Sequence, residues 1–419
     1  MAIEKIDMKI LSLHGGVRFP HFPREEYEGR LRKVKGLMGK YGMDGLLLFA
    51  PEDLYYYMGF KKENMPPDKK WRSGGIIPKN GEPVLLMDNL KYFNAVSSSW
   101  VKDIRGWGGL PEYGRPQNFL EAFVGIIKEL DLLNKTLGLE LWENITPLPV
   151  DLTWKEFDEL KSRLPEAKMV DAGDLIWEQR MIKTPYEIKI IRELSAITNK
   201  GFRAGLEAIR EGVSERYVTN AIYDAMLAAG LWNQPVWGRL PIRGPGHYHA
   251  GIMGAQETIL KKGDMLMFDG GPCHKGYWSD IQRNACIGEP PALQRKLYDA
   301  SLAGLDAALA VIRPGIRVGE IHRAALEKLQ SIDPQLGIVR NLFAGHGQGL
   351  HTHEPPYLDP SGTHADMIVQ EGMYLAVEIS AFDAPAYKVI GGFPEDNVLV
   401  TNNGCENLSE SIPRHLWIA

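Results

Sequence analysis

Met265-Leu-Met-Phe-Asp269-Gly-Gly-Pro-Cys-His-Lys-Gly-Tyr-Trp-Ser-Asp280 places two aspartates eleven residues apart around a Gly276-Tyr277 turn. The apolar run before Asp269 reads as a strand. Asp269 and Asp280 are then expected to face each other across a hairpin, where such a pair can bridge two ions. Taken alone, Asp269 is equally well a turn aspartate. Three further positions share the same character. His346 sits in Gly345-His346-Gly347-Gln348-Gly349, and Glu378 in Met373-Tyr-Leu-Ala-Val-Glu378-Ile-Ser380. Glu395-Asp396 precedes the apolar run ending at Val400.

Burying an ionised carboxylate without a partner costs several kcal/mol, and four of them close together repel one another. Two divalent cations cancel four carboxylates and leave a neutral imidazole as the fifth ligand. That balance points to a two-metal hydrolytic centre. The donor set is hard and oxygen-rich, which favours manganese, iron, cobalt or zinc. The plain alternatives are an edge-strand glutamate for Glu378 and a surface carboxylate pair for Glu395-Asp396. His351 and His353 follow the glycine loop. His353 is expected to hydrogen-bond substrate or stabilise developing negative charge, and His351 to be structural.

A chain of 419 residues is expected to form two domains. A net charge of −5 offers neither a nucleic-acid stripe nor a polybasic membrane anchor. No apolar run has transmembrane length, and the first residues lack signal-peptide features. Three cysteines are too few for a disulfide framework. A soluble cytoplasmic protein is expected, with no nucleic-acid or membrane partner. Cys-x-x-Cys, His-Glu-x-x-His, Gly-x-Ser-x-Gly and the phosphate-loop pattern are absent.

The first half alternates helical and strand patterns, as in a three-layer α/β domain. Leu31, Val34, Leu37 and Met38 stripe a helix over residues 25–41, closed by Gly42. Strands are expected at Gly45-Leu-Leu-Leu-Phe-Ala50, Pro83-Val-Leu-Leu-Met-Asp88 and Leu137-Gly-Leu-Glu-Leu141. A domain boundary is expected near residues 171–177. Just past it, Thr184-Pro185-Tyr186-Glu187 is a helix start, with Thr as N-cap, Pro first and Glu at the third position. Further helices are expected over residues 214–230, 291–311 and 318–330. Residues 231–254 hold Trp232, Trp237, Arg239, Arg243, His247, Tyr248 and His249 among glycines and prolines. They read as a loop with a role beyond connection.

The order and spacing of Asp269, Gly276-Tyr277-Trp278-Ser279-Asp280, Gly345-His346-Gly347-Gln348-Gly349, Glu378 and Glu395-Asp396 resemble the pita-bread metallopeptidases. That family includes methionine aminopeptidase, aminopeptidase P, prolidase and the related creatinase. His353-Glu354 matches the His-Glu that follows the family's glycine loop. Residues 27–60, with Gly42-Met-Asp-Gly-Leu-Leu-Leu-Phe and Leu54-Tyr-Tyr-Tyr-Met-Gly-Phe60, resemble the creatinase-type N-terminal domain. The resemblance implies an α/β creatinase-like domain over residues 1–176 and an α+β pita-bread catalytic domain over residues 177–419. It also implies a homodimer.

In that reading Asp269, Asp280, His346, Glu378 and Glu395 hold two divalent ions, with Asp280 and Glu395 bridging. The ions bring a bridging water to hydroxide near neutral pH. Glu378 passes a proton to the leaving nitrogen. His353 and one of His247 or His249 support the oxyanion. The expected substrate is a short peptide with proline after the first residue. Phe393 stands where peptidases of this branch often carry arginine. Trp232, Trp237 and Tyr248 can border a box for a cationic or sulfonium group. The rival reading is therefore a non-peptidase enzyme on the same fold, a creatinase-like C–N hydrolase or dimethylsulfoniopropionate lyase-like enzyme, acting on a small cationic molecule. A second rival is a binding protein that has lost catalysis.

Overall fold

Tyr27, Leu31, Val34 and Met38 recur at three- and four-residue intervals and form the buried face of a helix over Arg24–Tyr41. Gly42 ends it in the left-handed conformation (φ 70°), donating its N–H to the carbonyls of Met38 and Gly39. The structure is a computed structural model that describes residues 21–60, 72–89, 91–109, 114–141, 152–231, 236–243, 255, 257–338, 344–383 and 392–419. The chain divides into two compact units, Met1–Gln179 and Arg180–Ala419. No described helix is long and apolar enough to cross a membrane.

The first unit is built on six described strands: β1 (Gly45–Leu48), β2 (Gly74–Pro78), β3 (Val84–Asp88), β4 (Asp103–Trp107), β5 (Thr136–Leu139) and β6 (Lys168–Asp171). They lie in the order β4-β3-β2-β1-β5-β6. β1 runs parallel to β5 and antiparallel to β2. Leu47, Ile76, Leu86 and Leu137 pack with Phe119, Phe123 and Ile126 of the helix Phe119–Glu129. This is the helix-flanked α/β domain that the alternating pattern predicts.

In the second unit, Thr184 caps the helix Pro185–Ala208 through a reciprocal box. The Glu187 amide donates to Thr184 Oγ1 at 3.3 Å, and the Thr184 amide donates to the Glu187 carboxylate at 2.9 Å. The strands are β7 (Val236–Arg243), β8 (Met265–His274), β9 (Tyr277–Trp278), β10 (Ile281–Cys286), β11 (Leu336–Ile338), β12 (Gly345–Gly347), β13 (Glu354–Tyr357), β14 (Tyr374–Glu378), β15 (Ala381–Asp383), β16 (Glu395–Val400), β17 (Cys405–Asn407) and β18 (Trp417–Ile418). The main sheet follows the path β13-β12-β14-β16-β10-β8-β7.

Two helical layers cover this sheet. Phe202, Leu206 and Ile222, from the helices Pro185–Ala208 and Glu215–Ala228, pack on Leu266, Phe268 and Ile281. Leu305, Ala308, Ile321 and Leu329, from Ala292–Val311 and Val318–Ile332, pack on Leu375, Val377 and Val398. Side chains alternate faces along a strand. Hence Asp269 beside Phe268, Glu378 beside Val377, and Glu395 three positions before Val398 all belong to the face turned away from the helices.

Three strand limits differ from the sequence reading. Asp269 lies inside β8, which continues to His274, and Glu395-Asp396 opens β16 rather than preceding it. Residues 236–243 form β7, paired with β8, where a loop was expected. In each case ladder hydrogen bonds from neighbouring strands carry the extended backbone past charged residues at which a local reading stops.

Leu54 to Met58 belong to a helix over Pro51–Met58. Glu140, just beyond β5, anchors the two residues ahead of it: Oε2 accepts the N–H groups of Phe49 at 2.6 Å and Ala50 at 2.9 Å. Burial holds the Glu140 carboxyl well above the usual carboxylate range, and the charge of Asp53 and a hydrogen bond to it raise it further. A carboxyl raised on folding contributes stability that is complete below its unfolded pKa of about 4.3 and is lost as pH rises through the folded value. Glu140→Gln copies the protonated acid. We expect hydrogen-exchange protection of the Phe49 and Ala50 amides to fall with rising pH in the parent chain and to stay level in this variant.

Candidate metal centre

The pairing register assembles the centre. Gln282 of β10 lies opposite Asp269 of β8 on one side and Glu395 of β16 on the other. Glu395 in turn lies opposite Glu378 of β14. One row across the sheet therefore reads Asp269, Gln282, Glu395, Glu378. Asp280 stands two residues before Gln282 and so shares its face. His346 pairs with Ala376, two residues before Glu378, and joins the same face.

Among the described residues three clusters bring one ligand atom from each member within 4.8 Å of the others. They are Asp280 with His346 and His353, His346 with Glu378 and Glu395, and Asp269 with Asp280 and Glu395. Asp280, His346 and Glu395 each belong to two of the three. His346 Nε2 stands 3.9 Å from Asp280 Oδ2 and 4.0 Å from Glu378 Oε1. Its Nδ1 lies 2.9 Å from the Gly347 carbonyl. A carbonyl only accepts, so that bond needs the proton on Nδ1 and leaves the Nε2 lone pair facing the carboxylates.

Like charges directly opposite on neighbouring strands destabilise a sheet, yet Glu378 and Glu395 occupy such a pair. Burial pushes the Glu395 carboxyl well above its ordinary range, and the charges of Asp280, Glu378 and Asp269 push it further, against Arg283. Burial likewise holds His346 well below the usual imidazole value, with His353 adding to the effect. Among the described residues, four carboxylates beside a neutral imidazole form a site short of positive charge. The donor set fits divalent cations.

His353 lies closer to this set than a donor beyond the ligands requires. Its ring centroid is 4.0 Å from that of His346. Burial lowers its pKa as well. Phe393 is partly exposed, two residues before Glu395. Trp232, His247, Tyr248 and His249 lie outside the described residues. Trp237 falls in β7, where only the backbone is described.

The glycines of the His346 loop are there for backbone contact. A Cβ at Gly345 would run into the Ala376 carbonyl, and one at Gly347 into the Pro355 carbonyl. Glu354 fixes the far side of this loop, a role that its local sequence did not signal. It is buried, contacts Arg180, lies 3.3 Å from Lys183 Nζ, and accepts the His351 amide at 3.1 Å. Burial alone would raise its carboxyl, but Arg180, Lys183 and the His351 amide together bring it down to about 2. Tyr277 explains the Gly-Tyr turn. Its hydroxyl donates to Glu187 Oε1 at 2.9 Å, tying the aspartate hairpin to the capped helix start.

The model of metallopeptidase family M24 matches residues 189–402, and that of the creatinase/prolidase N-terminal domain matches residues 30–182. The chain belongs to metallopeptidase family M24. It is a metal-dependent hydrolase with the pita-bread fold behind a creatinase-like N-terminal domain. It is 28% identical over 385 residues to the Xaa-Pro dipeptidase of Pyrococcus furiosus, covering 91% of this chain and 98% of that protein. The fold is shared with a prolidase from Thermococcus sibiricus (TM-score 0.76, 23% identity, 94% of this chain and 99% of that one). It is also shared with an Xaa-Pro dipeptidase from Bacillus anthracis (TM-score 0.73, 24% identity, 94% and 100%).

Removing one partner of a buried ionic cluster costs about 3–5 kcal/mol. Glu354→Gln should lose stability on that scale in denaturant unfolding at neutral pH. Because the Glu354 carboxyl is depressed to about 2 on folding, its contribution is present above the unfolded pKa of about 4.3 and lost as pH falls through the folded value. The gap between parent and variant should therefore narrow as the solution is acidified below pH ~4.

Proposed function

We propose that this M24 hydrolase is a dinuclear Xaa-Pro peptidase of the prolidase or aminopeptidase P type. The observation that carries the reading is the convergence of Asp269, Asp280, His346, Glu378 and Glu395 on one face of a single sheet, in overlapping groups of three whose ligand atoms lie within 4.8 Å of one another. Relatives named Xaa-Pro dipeptidase that align with about nine-tenths of the chain support the substrate class. Residues 1–176 would form the creatinase-like domain and residues 177–419 the catalytic domain, in a cytoplasmic homodimer.

Asp269, Asp280, His346, Glu378 and Glu395 would hold two divalent ions. When bound, the ions supply an activated water near neutral pH and positive charge for the oxyanion. Glu378, with a fifth of its side chain exposed, would take a proton and return it to the leaving nitrogen. His353, and His247 or His249, would donate to the developing oxyanion. The substrate is a short peptide with proline at the second position. Phe393, where arginine is often found, favours the rival reading of a small cationic substrate, with Trp232, Trp237 and Tyr248 lining the pocket.

Elemental analysis joined to a substrate panel tests the proposal. Xaa-Pro dipeptides should be cleaved in a metal-dependent way, and creatine and dimethylsulfoniopropionate should not turn over. The reverse pattern would transfer the chain to the non-peptidase branch. Glu378→Ala should lose metal and activity together while remaining folded. A metal-free, fully active variant would refute the centre. His353→Ala should keep its metal and lose turnover by about a hundredfold or more. Loss of metal in that variant would make His353 a ligand instead.

A further inference from the structure

Beside the candidate ligands lies a connected set of uncharged polar side chains that the catalytic reading leaves unused. Gln348 Nε2 donates to the backbone carbonyl of Asp280 at 3.3 Å and to Asn397 Oδ1 at 2.6 Å. Asn397 Nδ2 donates to Ser279 Oγ at 2.8 Å. Gln348 and Ser279 are 0% exposed and Asn397 1%. The Gln348 amide nitrogen also donates to the Tyr374 carbonyl at 2.9 Å, and that of Asn397 to Ser409 Oγ at 3.0 Å.

Each member stands one or two residues from a candidate ligand. Gln348 follows His346 by two, Asn397 follows Glu395 by two, and Ser279 immediately precedes Asp280. The three ligand-bearing segments come from different parts of the chain. Within the sheet, β12 and β16 both pair with β14, while β16 meets β10 through the single register pair Gln282 and Glu395. Gln348 adds a direct bond from the His346 segment to both the Asp280 segment and β16. Charge explains the choice of amides. A lysine or arginine here would compete with a bound cation for the carboxylates, and an acid would add to their repulsion. An amide bridges two acceptors without changing the charge of the site. The charged pair that anchors β16, Arg283 with Asp396 at 2.7 Å, involves the residue whose side chain alternates to the other face.

We propose that Gln348 is a positioning residue: through Asp280 and Asn397 it fixes the spacing of the segments bearing Asp280, His346 and Glu395, and thereby sets metal affinity. The proposal rests on the metal-centre reading above. Partners that orient metal ligands typically account for about ten- to a hundredfold in affinity.

Calorimetric titration of manganese(II) into metal-stripped full-length protein tests it, with circular dichroism and denaturant unfolding giving the folded fraction. Gln348→Met keeps the shape and loses the donors, and its folded fraction should bind manganese about ten- to a hundredfold more weakly than the parent. Ser279→Ala cuts only the far end of the set and should stay within about threefold of the parent, below that range. Gln348→Asn retains an amide one methylene too short to span both acceptors. It should weaken binding as well, and it serves as the test where the methionine variant does not fold. Unchanged affinity in folded Gln348→Met or Gln348→Asn overturns the positioning role while leaving the metal centre standing. A parent protein that binds no manganese, cobalt or zinc overturns the metal centre, and the positioning role with it.

Discussion

Glu378 opposite Glu395 on adjacent central strands is the constraint on which the second unit turns. A sheet stabilised by apolar and complementary cross-strand pairs would replace either residue. Keeping both requires compensating positive charge, and the described residues near the pair supply little. Arg283 reaches the backbone carbonyl of Glu395 but spends its charge on Asp396. His346 is held neutral by burial. The sheet accordingly carries an electrostatic debt on one face that the helical layers on the other face cannot settle, and a bound divalent cation is the natural counter-charge.

The two faces of that sheet solve opposite problems with the same strands. Leu375, Val377, Val398 and Phe268 bury apolar surface against the helices. Asp269, Glu378 and Glu395, interleaved with them, gather polar atoms. Because the alternation is a geometric property of the extended chain, strength of core packing and precision of the polar face are coupled. The helices support, from the other face, the strands that bring the five candidate ligands together.

How much of this was legible in the sequence depended on whether the signal was local. The capping box at Thr184 and Glu187 and the glycine after Tyr41 are fixed by residues within one turn, and the helices begin and end there. The five candidate ligands stood out because each is a charged or metal-binding residue beside an apolar run. What escaped was set by distant partners. Glu354 matters through Arg180 and Lys183, more than 170 residues away. Glu140 matters through amides about 90 residues earlier. Gln348 carries no local signal, since only the fold brings Asn397 and the Asp280 carbonyl to it. The strand limits were missed for the same reason: a charge at Asp269 or Glu395 appears to end a strand until its ladder partners are known.

The adjacent acids Glu395 and Asp396 have a consequence for how this protein can change over time. One acid serves the row of candidate ligands and the next pairs with Arg283 on the opposite face. Inserting a single residue within β16, between Asp396 and Asn397, would move every residue beyond it to the other face and turn Val398 away from its core. Loops at the rim of the sheet can lengthen or shorten freely, but β16 tolerates length changes only in steps of two. Lineages descended from such a chain should therefore diversify at the sheet's edges and inherit this strand intact.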